Sequence, residues 1–226
     1  MIPERTSDLE RRAAVHAALA DPARLRIADS LLAGDASPSE LAAMLAMPSN
    51  LIAHHLHVLQ QAGIITRRRS EGDRRRTYLQ LIPEAMDGMA LLPTRAARRV
   101  LFVCTANSAR SHLAAALWHQ ASTVPAVSAG THPAETIDPG AIAAADRRRL
   151  PLPRQQPRHV SEVRQVGDLV ITVCDLAHEE LGAAAAELHW SVPDPVPTGD
   201  AGGFDAALTQ LADRVSRFAP RLAAAS

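Results

Sequence analysis

The sequence predicts two domains of different class. The N-terminal one is mostly α with a basic β-hairpin, and the C-terminal one is α/β with a central parallel sheet flanked by helices. Three observations carry this. Up to about residue 82, helical apolar stripes alternate with cap and turn signals and end in two Arg-rich strands. From Arg99 the rhythm changes to short, wholly apolar runs separated by helical segments. The charge changes with it: residues 1–99 hold 14 Arg against 11 Asp and Glu, residues 100–226 hold 10 against 13, and there is no Lys. A formal charge of +0 therefore hides a basic N-terminal half and an acidic C-terminal half, and argues against an indiscriminate polyanion binder.

A chain of 226 residues accommodates two small domains. At 47% hydrophobic and 3% aromatic, its cores are built from Ala, Leu, Val and Ile. No stretch approaches the roughly 18 apolar residues of a membrane span, and Met1-Ile2-Pro3-Glu4-Arg5 does not begin a signal peptide. The expectation is a soluble, cytoplasmic protein with no membrane partner. Cys104 and Cys174 are too few for a disulfide framework and too far apart for a zinc ribbon.

In order along the chain, residues 1–8 read as a loose polar tail. Asp21-Pro22 pairs an N-cap with a first-turn proline, and Leu25, Ala28, Leu31 and Leu32 follow at helical spacing until Gly34. Ser37-Pro38-Ser39-Glu40 is a capping box opening a short helix with Leu41, Met44 and Leu45 inward. After Met47-Pro48, Ser49 or Asn50 caps a third helix with an Ile52, Leu56, Leu59 stripe ending at Gly63. Strands Ile64–Arg69 and Arg74–Leu81 flank the turn Ser70-Glu71-Gly72-Asp73. Helix, helix, short turn, helix and basic hairpin is the winged helix-turn-helix order. Residues 9–83 form this domain, and residues 84–98 form a linker or a short dimer helix.

Residues 99–222 form the second domain. Val100–Val103 suits a buried parallel strand, followed by a polar loop over Cys104–Ala109 and a helix from about Arg110 to Gln120. Ala126–Gly130 and Asp168–Val173 read as further strands, and Ile137–Arg149, 176–187 and 203–219 as helices.

The third helix leaves Ser49, Asn50, Ala53, His54, His57 and Gln60 on its outer face, small or polar groups able to approach base edges. Arg67, Arg68, Arg69, Arg74, Arg75 and Arg76 follow on the hairpin. Six cations on adjacent strands repel one another unless an anion such as DNA phosphate lies against them. His54, His55 and His57 raise the question of a metal, but their spacing on a DNA-facing helix favours DNA- or solvent-facing roles, and no metal is expected.

On "ALADPARLRI" (Ala18–Ile27), "HHLHVLQQAGII" (His54–Ile65) and "RRRSEGDRRRTYLQL" (Arg67–Leu81), residues 10–82 resemble an ArsR-type repressor domain. The resemblance implies a homodimer that binds operator DNA and releases it when an inducer binds. Metal-sensing relatives often carry thiols near the helix that here reads "SPSELAAML", and no cysteine occurs in residues 1–99. A thiolate-based metalloid sensor within this domain is therefore not expected.

Cys104-Thr105-Ala106-Asn107-Ser108-Ala109-Arg110-Ser111 joins a strand to a helix. The backbone N–H groups of Thr105, Ala106, Asn107, Ser108 and Ala109 can converge on one oxyanion, helped by the helix N-terminus. The Arg110 fork matches two oxygens of phosphate or arsenate, and this field favours the Cys104 thiolate. Ser111 can donate a hydrogen bond to that sulfur, and the Asn107 amide can brace the loop. No G-x4-G-K-[ST] loop of the ATP-binding type is present. Cysteine followed by arginine six positions on is a weak pattern alone, and a strong one between "VLFV" and "SHLAAALW". Asp194, held between Pro193 and Pro195, can be positioned to protonate a leaving oxygen.

"VLFVCTANSARS", "SAGT" (Ser128–Thr131), "DLVITVCD" (Asp168–Asp175) and "VPDP" follow the order of the low-molecular-weight phosphotyrosine phosphatase fold, shared by one family of arsenate reductases. Residues 99–222 resemble that fold over nearly their whole length. The resemblance implies Cys104 as nucleophile, Arg110 as oxyanion clamp and Asp194 as general acid. It places Cys174 near the resolving thiol of thioredoxin-coupled relatives, although a further cysteine of theirs is Leu181 here. A buried, inert strand-end residue is the alternative for Cys174. The expected activity is arsenate reduction with no bound cofactor, using Cys174 or an external thiol: mycothiol, glutathione or the thioredoxin system. The alternatives are a phosphomonoester or protein-tyrosine phosphatase, and a non-catalytic repressor that senses an arsenate or phosphate-type oxyanion. The sole Tyr, Tyr78, lies in the hairpin, which argues against a dedicated phosphotyrosine pocket.

Overall fold

The computed structural model describes residues 3–86, 95–152, 156–196 and 201–225, with the side chains of 3–9, Met86 and Ala201 left aside. Its contacts divide the chain into two compact units, Met1–Arg69 with Arg75–Leu92, and Ser70–Arg74 with Pro93–Ser226.

In the first unit, α1 (Pro3–Leu19) and α2 (Pro22–Ala33) lead into α3 (Pro38–Leu45) and α4 (Ser49–Gln61). The chain start is thus helical rather than a loose tail, its Pro3 suited to a first helical position that needs no N–H partner. Asp21 caps α2, its side chain accepting from the main-chain N–H groups of Ala23 and Arg24 at 2.9 and 3.1 Å. Ser37 and Glu40 close the capping box of α3, with Ser37 N–H on the Glu40 carboxylate at 2.7 Å and Glu40 N–H on Ser37 Oγ at 3.3 Å. Such a cap is worth about 1 kcal/mol. Neither Ser49 nor Asn50 caps α4: Pro48 stands at the N-cap and makes no side-chain hydrogen bond.

Ile27, Leu31, Leu41, Ile52, Leu56, Leu59, Ile64 and Leu79 form one buried core. Met44, expected inward, is 61% exposed. In so short a helix Leu41 and Leu45, four apart, define the inner face, and Met44 falls at its edge beside Ser30 Oγ. Leu25 likewise lies outside, 43% exposed.

Strands β1 (Ile65–Arg69) and β2 (Thr77–Leu81) pair antiparallel, Ile65 with Leu81 and Arg69 with Thr77. They are shorter than expected at Ile64 and at Arg74–Arg76. Ser70 Oγ accepts from the N–H groups of Gly72 and Asp73, a local bond that competes with the ladder and ends it early. Only Arg67, Arg68 and Arg69 are therefore strand residues, while Arg74, Arg75 and Arg76 sit in the connection. A 3₁₀ turn, Pro83–Met86, follows, and the dimer helix expected within 84–98 falls mostly outside the described residues.

In the second unit, β4 (Arg99–Cys104), β5 (Ala126–Gly130), β6 (Asp168–Thr172) and β7 (Leu188–His189) form a parallel sheet in the order β5-β4-β6-β7. A separate parallel pair joins β3 (Arg95–Ala97) to β8 (Leu222–Ala224), which follows the 3₁₀ turn Ala219–Arg221. Helices α5 (Arg110–Ala121), α6 (Pro139–Arg147), α7 (Val160–Val163), α8 (Asp175–Leu181) and α9 (Ala201–Phe218) complete the unit. The helix expected over 176–187 stops at Leu181, because Gly182 takes a left-handed φ of 74° and ends it.

Phe102, Trp118, Trp190 and Phe218 meet at centroid distances of 5.6–6.3 Å and supply most of the unit's aromatic packing. At the start of the sheet Arg99 grips Asp168 with two hydrogen bonds of 2.9 and 2.7 Å, fixing the register of the two central strands. The chain runs from β4 to β5 on one side and then to β6 on the other. The strand order therefore reverses at the carboxyl end of β4, where open α/β sheets leave a crevice for ligands. Cys104 ends β4. No described helix is long and apolar enough to cross a membrane.

Candidate active site and nucleic-acid interface

The loop after β4 is shaped by its carbonyl groups. Those of Cys104, Thr105, Ala106 and Ser108 accept hydrogen bonds from the main-chain N–H groups of Thr131, His132, Ala134 and Asp138 at 2.8–3.2 Å. Planar peptides put N–H opposite C=O, so anchoring these carbonyls outward turns the N–H groups of Thr105, Ala106, Asn107 and Ala109 to the other side. Asn107 adopts a left-handed φ of 47°, a conformation that asparagine tolerates better than most side chains. Its amide ties the loop to α5 and to a distant segment: Nδ2 donates to Ser111 Oγ at 2.8 Å, and Oδ1 accepts from Arg158 N–H at 2.9 Å. Ser111 Oγ lies 3.1 Å from Cys104 Sγ. With that oxygen receiving the Asn107 hydrogen bond, its own hydrogen is directed to the sulfur.

Arg110 opens α5 and is almost wholly buried. It donates to the Val192 carbonyl at 3.0 Å and stands 3.3 Å from Asp194 Oδ1. Burial opposes its charge, but the sulfurs of Cys174 and Cys104 and the Asp194 carboxylate outweigh that and push its pKa above the ordinary guanidinium value. The loop over Ser191–Pro195 thus delivers Asp194 beside the guanidinium. Cys104, Arg110, Ser111, Asn107 and Asp194 are brought together around one cup.

Cys174 borders it. Its sulfur is 3.3 Å from Thr105 Oγ1 and buried. Burial pushes its thiol up to about 11, against the opposing pull of Arg110. Beneath it, Thr172 Oγ1 lies 3.1 Å from His178 Nδ1 and 3.0 Å from His189 Nδ1, and His189 Nε2 reaches Asp175 Oδ1 at 3.2 Å. Burial alone would raise the Asp175 carboxyl, and hydrogen bonds from His189 and Ser191 overcome it, holding the group below the usual range.

Sequence reasoning missed the braces: Gly130, Arg158 and the 131–138 segment. A Cβ on Gly130 would stand 2.5 Å from the Thr105 carbonyl oxygen and 2.9 Å from Asn107 Cβ, so only glycine lets the loop lie against β5. The glycine of "SAGT" was the available signal. His112 was missed too. It is 3% exposed, with Nδ1 3.4 Å from Ser128 Oγ, and burial pushes its imidazole down to about 4.

In the first unit the outer face of α4 presents Ser49, Asn50, Ala53, His54, His57 and Gln60, all exposed, while Ile52, Leu56 and Leu59 are buried. His55 turns inward, 3.8 Å from Asp21, so the three histidines do not converge. Arg67 Nε donates to Gln60 Oε1 at 3.0 Å, tying the hairpin to the helix. Arg67, Arg69, Arg74, Arg75 and Arg76 are exposed and Arg68 half-buried.

Residues 99–226 match the family model of low molecular weight phosphotyrosine protein phosphatases, and residues 19–68 match that of a helix-turn-helix domain. No curated protein matches the chain. Among solved structures, the chain is similar to an arsenate reductase from Archaeoglobus fulgidus DSM 4304, with 30% identity, a TM-score of 0.47, and coverage of 54% of this chain and 98% of that one. It is also similar to Vibrio vulnificus Wzb in complex with benzylphosphonate, with 18% identity, a TM-score of 0.49, and coverage of 56% and 99%. A third is a YwlE mutant from Bacillus subtilis, with 20% identity, a TM-score of 0.48, and coverage of 54% and 96%. The family model spans more than half of the chain, over the residues that build the Cys104 cup: the chain belongs to the low molecular weight phosphotyrosine protein phosphatase family and carries a helix-turn-helix DNA-binding domain ahead of that enzyme domain.

Proposed function

We propose that the protein is a cytoplasmic, ArsR-type dimeric repressor fused to an arsenate reductase. The observation that carries the reductase reading is the second thiol at the cup, Cys174, whose sulfur lies 3.3 Å from the hydroxyl of Thr105, the residue next to Cys104. Hydrolysis of a phosphoester has no use for it.

Cys104 thiolate attacks arsenic(V) and displaces water, giving a sulfur–arsenate bond, while the loop amides and Arg110 hold the oxygens. Cys174 then attacks Cys104 sulfur. The S–S bond forms, the S–As pair stays with arsenic as arsenite, and the Cys174 proton ends on an arsenite oxygen. Arsenic gains two electrons and the two thiols become a disulfide. An external thiol, either mycothiol, glutathione or the thioredoxin system, returns it to the reduced state.

A phosphatase is the second reading, favoured by Asp194 Oδ1 at 3.3 Å from Arg110, where a departing oxygen would need a proton. Incubating the purified protein with arsenate or an aryl phosphate, with and without each thiol, separates the two. Under the reductase reading arsenite appears, Cys104→Ser abolishes it, and Cys174→Ser lowers it at least tenfold with a single reductant. Phosphate release that needs Cys104 and ignores Cys174, without arsenite, would overturn the reductase in favour of the phosphatase.

A further inference from the structure

We propose that Asp175 and His189 are positioning residues that hold Cys174 at its working distance from Cys104. The proposal deepens the reductase reading and rests on the role given there to Cys174. Asp175 follows Cys174 at the start of α8, and His189 ends β7. His189 Nε2 and Asp175 Oδ1 are 3.2 Å apart, and both side chains are 1% exposed. A carboxylate only accepts, so Nε2 carries the hydrogen whatever the charge of the ring.

The bond matters because β7 is otherwise weakly placed. Its ladder with β6 has two residue pairs, Ile171 with Leu188 and Thr172 with His189, extended by the Trp190 N–H on the Thr172 carbonyl at 2.8 Å. So short a ladder specifies register poorly, and a slip of one residue would turn His189 to the opposite face. Three contacts hold the imidazole against that slip. Asp175 stands at Nε2, Thr172 Oγ1 lies 3.0 Å from Nδ1, and the His178 ring stacks on its face at 4.1 Å. A buried carboxylate–imidazole pair adds little to stability once the cost of drying it is counted, and fixing a register is the best-attested use of such pairs.

From His189 the chain carries the constraint to the cup. Three residues on, the Val192 carbonyl accepts from Arg110 Nη1 at 3.0 Å, and Arg110 opens the helix behind the Cys104 loop. Cys174, Asp175, His189, Val192, Arg110 and Cys104 therefore lie on one circuit of covalent and hydrogen bonds that runs from one sulfur to the other. Opening it between Asp175 and His189 lets α8 and β7 drift apart, and the sulfurs with them.

The test needs no substrate. The chain has two cysteines, so an intramolecular disulfide can only join Cys104 to Cys174. Diamide takes two electrons and the two thiol hydrogens, becomes a hydrazine and leaves the disulfide, and the rate of closure reads the alignment of the sulfurs. The full chain is compared as wild type, His189→Leu, His189→Gln, Asp175→Asn and His178→Gln. Iodoacetamide labelling of Cys104, located by peptide mass spectrometry, measures whether the cup is intact. In His189→Leu closure is expected to slow by about tenfold or more at an unchanged rate of Cys104 labelling. His189→Gln, whose amide can still donate to Asp175, should return it to within about threefold of wild type, and His178→Gln should keep the wild-type rate. If His189→Leu fails to fold, Asp175→Asn decides instead: it keeps the shape, loses the charge-assisted bond, and should slow closure by about threefold or more.

Closure at the wild-type rate in the deciding variant overturns the proposal. So does an equal slowing in His178→Gln, which marks a packing effect, or no recovery in His189→Gln. Wild type that never closes the disulfide overturns it too, together with the role of Cys174 in the reductase reading. Wild type that closes it, loses that speed in His189→Leu and yet forms no arsenite from arsenate overturns the reductase reading while the positioning role stands.

Discussion

At the scale of single residues, the cup works because each polar group has one job set by its neighbours. Asn107 spends its two amide ends on Ser111 and Arg158, which leaves the Ser111 hydrogen for Cys104. Removing the amide with Asn107→Ala frees both ends, and activity is expected to fall by about a hundredfold, the size of effect a misplacement of roughly 1 Å produces. Asp194→Asn keeps the shape of the carboxylate and removes its proton. For phosphoester hydrolysis kcat is expected to drop 10²- to 10⁴-fold with little change in KM, whereas an unchanged kcat removes Asp194 as the acid.

His112 makes a claim about stability. Burial lowers it to about 4 from an ordinary 6.5, with the Arg158 charge acting in the same direction and the Asn107 main chain against. Between those values the unfolded chain binds more protons than the folded one. Stability therefore falls as pH drops from 6.5 toward 4, by up to about 3 kcal/mol. Urea denaturation over that range, compared with His112→Gln, reads the slope directly: the variant should lose that part of the pH dependence.

At the scale of elements, the site is a product of one close approach. The loop after β4 rests on β5 at Gly130, where an added methyl group would meet the Thr105 carbonyl oxygen at 2.5 Å. Gly130→Ala is expected to displace the loop rather than the strand, since the strand is held by a full register with β4 from Ala126 to Gly130. Catalysis should drop by at least tenfold while far-UV circular dichroism stays at the wild-type level. A fully active variant would show that the approach is not needed. The hairpin of the first unit is governed by a local bond too, because Ser70 closes its turn before the arginines at 74–76 can join the ladder.

At the scale of the whole molecule, the zero net charge is the sum of a basic half, residues 1–99, and an acidic half, residues 100–226, and the exposed arginines of the hairpin are where a polyanion would meet the chain. Duplex binding is expected to weaken steeply as salt rises, and to be unaffected by Cys104→Ser. A flat salt response would mean that the exposed arginines do not meet phosphate. Sedimentation should give a dimer, and operator half-sites about one helical turn apart, if the ArsR-type proposal holds.

Much of this was legible before any coordinates. Alternating apolar runs and helical stripes determined both folds, because burial periodicity is a local property of the chain. Spacing alone put Cys104, Arg110 and Ser111 at the two ends of one strand-to-helix turn, since a connection of that length keeps them close. Other features belong to the tertiary structure. Cys174 and Asp194 reach the cup only because the strand order reverses at β4, bringing the ends of β6 and β7 beside it. The bracing by Gly130 and Arg158 joins residues 23 or more positions from Asn107. Met44 is outside because a two-turn helix has room for one inner face. Local pattern is set by the alternation of side chains along the backbone, whereas proximity across the fold is set by how strands are ordered.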